Sequence, residues 1–199
     1  MKILRYFSIL AIAAVLSGCG EAQRQSFEER FDKRYLDMQS YAASGSIAVY
    51  SNKTENTYKF ALGAEKDGAR FIEYPDDELK IVFKNGEATL INGKAGGKET
   101  VKEEREEYLH IFPDKFFKNY IDAQGESYQY EKSGGNVAMK CDISTKSGDN
   151  LVEIMILDEK KLNPRIFTIY RKGGEKLFEI KFSEFEFVKK FKDDVFNTD

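Results

Sequence analysis

The sequence predicts a mainly β, α+β fold: a large curved antiparallel sheet of about ten or eleven strands. It should form an unclosed half-barrel, with an N-terminal helix and an inserted helix on the concave side. Three observations predict it. From Tyr41 onward, apolar residues recur at every second position in short runs. Turn pairs separate those runs: Asp67-Gly68, Asn85-Gly86, Gly134-Gly135 and Gly173-Gly174. Only two stretches show helical spacing, one before the strands and one within them.

The first helix opens at Ser26, which with Glu29 forms the capping pattern S-x-x-E. Phe27, Phe31, Tyr35 and Met38 then fall on one face, giving a helix of about four turns that ends near Ser40. A helix lying in a membrane surface would have a more basic polar face, so the aromatic stripe is expected to pack on the sheet. Strands follow around Ile47 and Val49, over Tyr58 to Leu62, Arg70 to Tyr74, Leu79 to Lys84 and Glu87 to Ile91. Asn92 to Gly97 reads as a flexible loop, and Lys102 to Glu107 as a charged segment. Pro113 suits a first helical residue, with Phe116, Phe117, Tyr120 and Ile121 as the apolar edge behind it.

Strands resume over Ser127 to Lys132, and Val137, Met139, Cys141 and Ile143 alternate cleanly. Leu151 to Leu157 is apolar at nearly every position and is expected to be covered on both faces. Pro164 starts a strand over Arg165 to Arg171, and the last strand runs from Lys176 to Val188. The apolar phase shifts there from Phe178, Ile180 and Phe182 to Phe185 and Phe187, which predicts a bulge near Ser183-Glu184.

Residues 1–18 read as a signal peptide: Lys2 and Arg5 precede the apolar run Tyr6 to Leu16, which is too short for a mature membrane span. Leu16-Ser17-Gly18-Cys19 resembles a bacterial lipobox, which implies lipidation of Cys19. The attached group would be diacylglycerol, with an N-acyl chain as a further modification. The alternative is an ordinary signal peptide with a coincidental cysteine. On the lipobox reading, residues 19–25 are a lipidated tether and residues 26–199 a single domain, held at the outer face of the cytoplasmic membrane.

Little in the chain points to catalysis. One His, two Cys and no Trp occur among 199 residues. Zinc needs a larger ligand set than one His and one mature Cys provide, and no metal or other cofactor is expected. His110 has no G-x-S-x-G nucleophile for company and reads as a partly exposed histidine at a helix end. Cys141 reads as a buried, inert thiol. Asp76-Asp77-Glu78, Glu103-Glu104 and Glu106-Glu107 lack calcium-loop spacing and read as solvated acidic segments. The near-balanced formal charge of −3 gives no nucleic-acid footprint.

Three stretches carry a resemblance to the LolA/LolB-type lipoprotein-carrier fold. They are Leu36-x-x-x-x-Tyr41-x-x-x-Gly45-x-Ile47, then Arg70-Phe71-Ile72-Glu73-Tyr74-Pro75, then Leu157-Asp158 followed by Pro164. Arg70, Glu73, Pro75 and Pro164 are the residues that carry this motif. The lipobox departs from the soluble carrier, and the abundant Lys, Glu and Phe look like a low-GC Gram-positive protein. On lipobox, length, fold and composition the chain resembles the clostridial germination lipoproteins of the GerS family. That resemblance implies a non-enzymatic lipoprotein at the forespore membrane or in the intermembrane space. It would bind and activate a cortex-modifying N-acetylmuramoyl-L-alanine amidase needed for spore germination. An alternative is a carrier of lipid or lipoprotein acyl chains, with Phe60, Phe83, Phe116, Phe117, Met139 and Met155 as a candidate hydrophobic cavity. A purely structural envelope lipoprotein is the third. Exposed strand edges would also permit a homodimer by strand exchange.

Overall fold

A computed structural model describes residues 25–51, 54–66, 68–102, 110–124, 129–145, 148, 150–192 and 194–198. The signal peptide, Cys19, Asp67, Glu103 to Glu107 and the start of the strand expected from Ser127 lie outside the described residues. Eleven strands form one antiparallel sheet: β1 (Ser40–Tyr50), β2 (Glu55–Glu65), β3 (Arg70–Tyr74), β4 (Leu79–Lys84), β5 (Glu87–Asn92), β6 (Gly97–Lys102), β7 (Tyr130–Ser133), β8 (Asn136–Ser144), β9 (Asn150–Asp158), β10 (Pro164–Arg171) and β11 (Lys176–Val188). Their spatial order is β6-β5-β4-β3-β2-β1-β11-β10-β9-β8-β7, so the sheet has two open edges. Helices α1 (Phe27–Tyr35) and α2 (Pro113–Gln124) fill its inner face. The half-barrel expected from the sequence is present.

Two wings of consecutive hairpins meet at a seam where β1 pairs with β11. Ser44 faces Glu184 and Gly45 faces Phe182, which leaves Ser183 as the extra residue of a bulge, where the phase shift predicted one. A Cβ on Gly45 would sit 2.0 Å from the Lys181 carbonyl oxygen, so the bulge brings backbone against backbone and only glycine fits. At the β4–β5 hairpin, Asn85 and Gly86 have φ of 55° and 75°, the left-handed pair that a tight two-residue turn requires.

Helix α1 starts as expected. Glu29 N–H donates to Ser26 Oγ at 3.1 Å, and Ser26 N–H donates to Glu29 Oε2 at 2.9 Å. Phe27, Phe31 and Tyr35 are buried, so the aromatic stripe does pack inward. The helix has nine residues, however, and does not reach Ser40. Ser40 is already paired with Glu65 and Val188, and joining the sheet forces the chain to extend after the Leu36 cap. Lys66 secures the exit, its Nζ donating to the Leu36 carbonyl at 2.8 Å.

Two strand expectations need correction. Gly97–Lys102, expected to join a loop to a charged segment, is the edge strand β6, in register with β5 from Glu87–Lys102 to Asn92–Gly97. All its residues are exposed, so neither face required the apolar alternation that marks a half-buried strand. Among the described residues, strand β9 is fully covered on one face only. Leu151, Glu153, Met155 and Leu157 are buried, while Val152, Ile154 and Ile156 on the outer face are half-buried. The outer face of the other wing is capped by the chain's own C-terminal segment, where Phe191, Val195 and Phe196 pack on Ala69, Phe71 and Val82.

Candidate functional site

Helix α2 occupies the hollow of the half-barrel. Phe116 and Tyr120 are fully buried and Phe117 is 2% exposed. The Phe117 ring stacks on Tyr35 of α1 at 3.7 Å, and the Phe116 ring meets Phe167 of β10 edge-on at 5.4 Å. All six residues expected to line a cavity are at most 4% exposed and belong to one continuous core. None of them lines any of the three surface openings described below.

Arg70 has a definite structural task. It points inward from β3 and its guanidinium donates to Asp114 Oδ2 at 2.7 Å. Asp114 Oδ1 accepts the Tyr41 hydroxyl at 2.7 Å. Asp114 lies in the first turn of α2, where its charge complements the helix dipole. One carboxylate thus ties β1, β3 and the start of α2 together. Burial first, and the Asp114 charge second, push the Tyr41 phenol well above its ordinary range, so it remains a donor. Beside this network opens a cleft of about 250 Å³, with Leu36, Met38 and Ile121 as apolar wall and Lys66, Lys115 and Lys118 among its charged rim.

The other motif residues do not converge on Arg70. Glu73 pairs with Lys80 at 3.1 Å across β3 and β4. Pro75 begins a single 3-10 turn that ends in left-handed Glu78, with Asp76 and Asp77 within it. Asp76 pairs with Lys59 at 3.3 Å and Asp77 with Lys94 at 3.6 Å, all largely exposed. Pro164 is buried at the start of β10 in the opposite wing. Before it, Asp158 accepts the N–H groups of Lys160 and Lys161 and pairs with Arg165, which locks the β9–β10 turn. The Lys161 N–H first, and then Arg165, hold the Asp158 carboxyl below the usual range.

One buried carboxylate escaped sequence reasoning. Glu153 sits in the inward phase of β9, fully buried, directly opposite Cys141 on β8. Its Oε1 lies 3.0 Å from His110 Nδ1, and its Oε2 has no hydrogen-bond partner among the described residues. His110 is half-buried in the turn before α2, as a partly exposed histidine at a helix end should be, and Glu153 is its partner. A lone Glu in phase with Leu151, Met155 and Leu157 was the signal for this pair. Burial, then the charges of Glu153 and Asp142, push the Cys141 thiol up to about 11, so it stays protonated and inert. A second opening of about 560 Å³, lined by His110, Lys118 and Cys141, lies beside the His110–Glu153 pair. No group of three or more His, Cys, Asp or Glu side chains among the described residues is placed to hold a metal ion.

No helix among the described residues is long and apolar enough to cross a membrane. No curated protein matches the sequence. Among solved structures, a chain of the complex of the CwlD amidase with the GerS lipoprotein from Clostridioides difficile is similar, with 21% identity. The match covers 83% of this chain and 99% of that chain, with a TM-score of 0.47. A DUF1329 family protein from Desulfovibrio piger matches at 13% identity, covering 86% of this chain and 95% of its own, with a TM-score of 0.48. A LolA superfamily protein from Nitrosomonas europaea matches at 9% identity, covering 87% and 97%, with a TM-score of 0.40. The family model of the sporulation protein YdcC-like proteins matches residues 1–196, and the chain belongs to that family.

Proposed function

We propose that the protein is a lipid-anchored, non-catalytic component of the sporulating cell envelope that binds and activates a cortex-modifying N-acetylmuramoyl-L-alanine amidase. Membership of a sporulation family carries the cellular setting of this reading. The lipobox at Cys19 supports an anchor, and the sequence resemblance to the germination lipoproteins supplies the partner class. Packing supports a protein-binding role over carriage of a small ligand. Helices α1 and α2 fill the hollow, which leaves the two open strand edges among the surfaces a protein partner could pair with.

Co-purification of the protein with candidate sporulation amidases, followed by amidase turnover with and without it, tests the proposal. Association and faster turnover are expected. Absence of both overturns it. Reproducible recovery of a bound acyl lipid by native mass spectrometry would replace it with the carrier reading.

A further inference from the structure

The third opening, of about 420 Å³, joins α1 to the β9–β10 turn. Arg30, Lys33 and Arg34 line it from α1, Lys160 and Lys161 line it from the turn, and Gln25 stands at its rim. No ion pair joins any of these five cations to a carboxylate among the described residues. Arg30 donates to the backbone carbonyls of Glu159 and Lys160 at 3.1 and 3.4 Å. Arg34 donates to Asn163 Oδ1 at 2.6 Å and its guanidinium lies 4.3 Å from the Phe187 ring centre. These contacts hold the guanidinium groups in place and leave their charge unneutralised. Three neighbouring acids are engaged elsewhere: Glu29 caps α1, Asp158 locks the turn with Arg165, and Glu159 pairs with Lys132 at 3.7 Å. A chain of net charge −3 therefore carries a concentrated positive surface.

We propose that this basic surface rests on an anionic phospholipid bilayer and sets the orientation in which the domain stands on the membrane. The inference rests on the lipid anchor proposed above. Cys19 lies six positions before Gln25, and six residues span at most about 20 Å. An acylated Cys19 thus confines the rim of this opening to the neighbourhood of the headgroups. Electrostatic attraction reaches about 10 Å at moderate salt. Each cation near an anionic leaflet strengthens binding about fivefold. A short tether beside an acidic surface would hold the domain off such a membrane; beside five cations without a carboxylate partner it draws the domain down.

The test uses the full chain, made in a host that processes lipoproteins and reconstituted into vesicles of phosphatidylcholine alone or with phosphatidylglycerol. The mass of the N-terminal peptide reports lipid on Cys19 separately. Amine-reactive labelling then reads Lys33, Lys160 and Lys161, with Lys98 on the far edge strand β6 as the reference. Labelling of the three is expected to slow at least about fivefold in the anionic vesicles, and to recover near 0.5 M salt. Lys98 should label equally in both. The triple variant K33E/K160E/K161E should stay anchored, melt at the parental temperature and show no dependence on anionic lipid at Arg30 and Arg34, read by arginine-directed labelling. Equal lysine labelling in the two lipids overturns the proposal, and so does protection that persists in neutral lipid and high salt, which would mark a protein contact instead. If Cys19 carries no lipid, the anchor reading fails. Sedimentation of that unlipidated protein with phosphatidylglycerol vesicles, lost in the triple variant, would still support the surface; no sedimentation would overturn it.

Discussion

The outer faces of the two wings are built from similar strands but finished differently. On the first wing, Phe71 and Val82 lie beneath Phe191 and Phe196 of the C-terminal segment, and Lys80 Nζ fastens that segment by donating to the Val195 carbonyl at 2.7 Å. Gly63 makes room for the cover, since a Cβ there would stand 2.5 Å from the Phe71 ring and 2.6 Å from that of Phe191. On the second wing, Val152, Ile154, Ile156 and Ile166 present an apolar face that stays half-buried. Among the described residues, similar alternation along a strand therefore meets a closed layer on one side and only a half-buried face on the other. What decides is whether a distant part of the same chain returns to cover it.

Mutations separate the two cases. The largest effect is expected at the seam that both wings share. Gly45→Ala sets a methyl group against the Lys181 carbonyl and should cost on the order of 3 kcal/mol or more, because backbone cannot step aside. Thermal denaturation checks this. Next, Phe196→Ala removes a buried ring from the covered wing and should cost roughly 2–4 kcal/mol. Limited proteolysis should then cut the C-terminal segment before the rest unfolds. Ile154→Ala on the bare wing should cost only about 1 kcal/mol. A cost equal to that of Phe196→Ala would mean that the second wing also has a cover, and the contrast would be lost.

The smallest effect concerns the turn at the end of the bare wing. The Asp158 carboxyl titrates lower in the folded chain than in the unfolded one, so its contribution is present above the ordinary Asp range and lost as pH falls through its folded value. Asp158→Asn should thus lower the melting temperature near neutrality and match the parent in strong acid. Melting curves of both proteins across that range would show whether the gap closes.

Much of the architecture could be read from local patterns. The capping box starts α1, Pro113 starts α2, and the phase shift in β11 marks the bulge, because each is a rule about neighbours in sequence. The misses share the opposite cause. Strand β6 is wet on both faces and carries no alternation, so only its register with β5 reveals it. The end of α1 is decided by Ser40 pairing with Glu65 and Val188. Arg70 was legible as a motif residue, but its bond to Asp114 depends on α2 folding into the sheet. Glu153 stood in a run that read as apolar at nearly every position, and its histidine lies outside that strand. The basic surface has the same origin: α1 contributes three cations and the β9–β10 turn two, so neither segment alone appears basic enough to notice.

The seam has a further consequence, for the time course of folding. Strand β1 can pair with β2 as soon as the first hairpin exists, but its other edge must await β11, the last strand of the sheet. A chain threaded across a membrane from its N-terminal end would hold that edge open until nearly all of it has emerged. Pairing across so long a loop is slow, and an unpaired central edge invites association with other chains. Chains released before Lys176 should accordingly aggregate through β1, while the complete chain is protected from the moment its final strand docks.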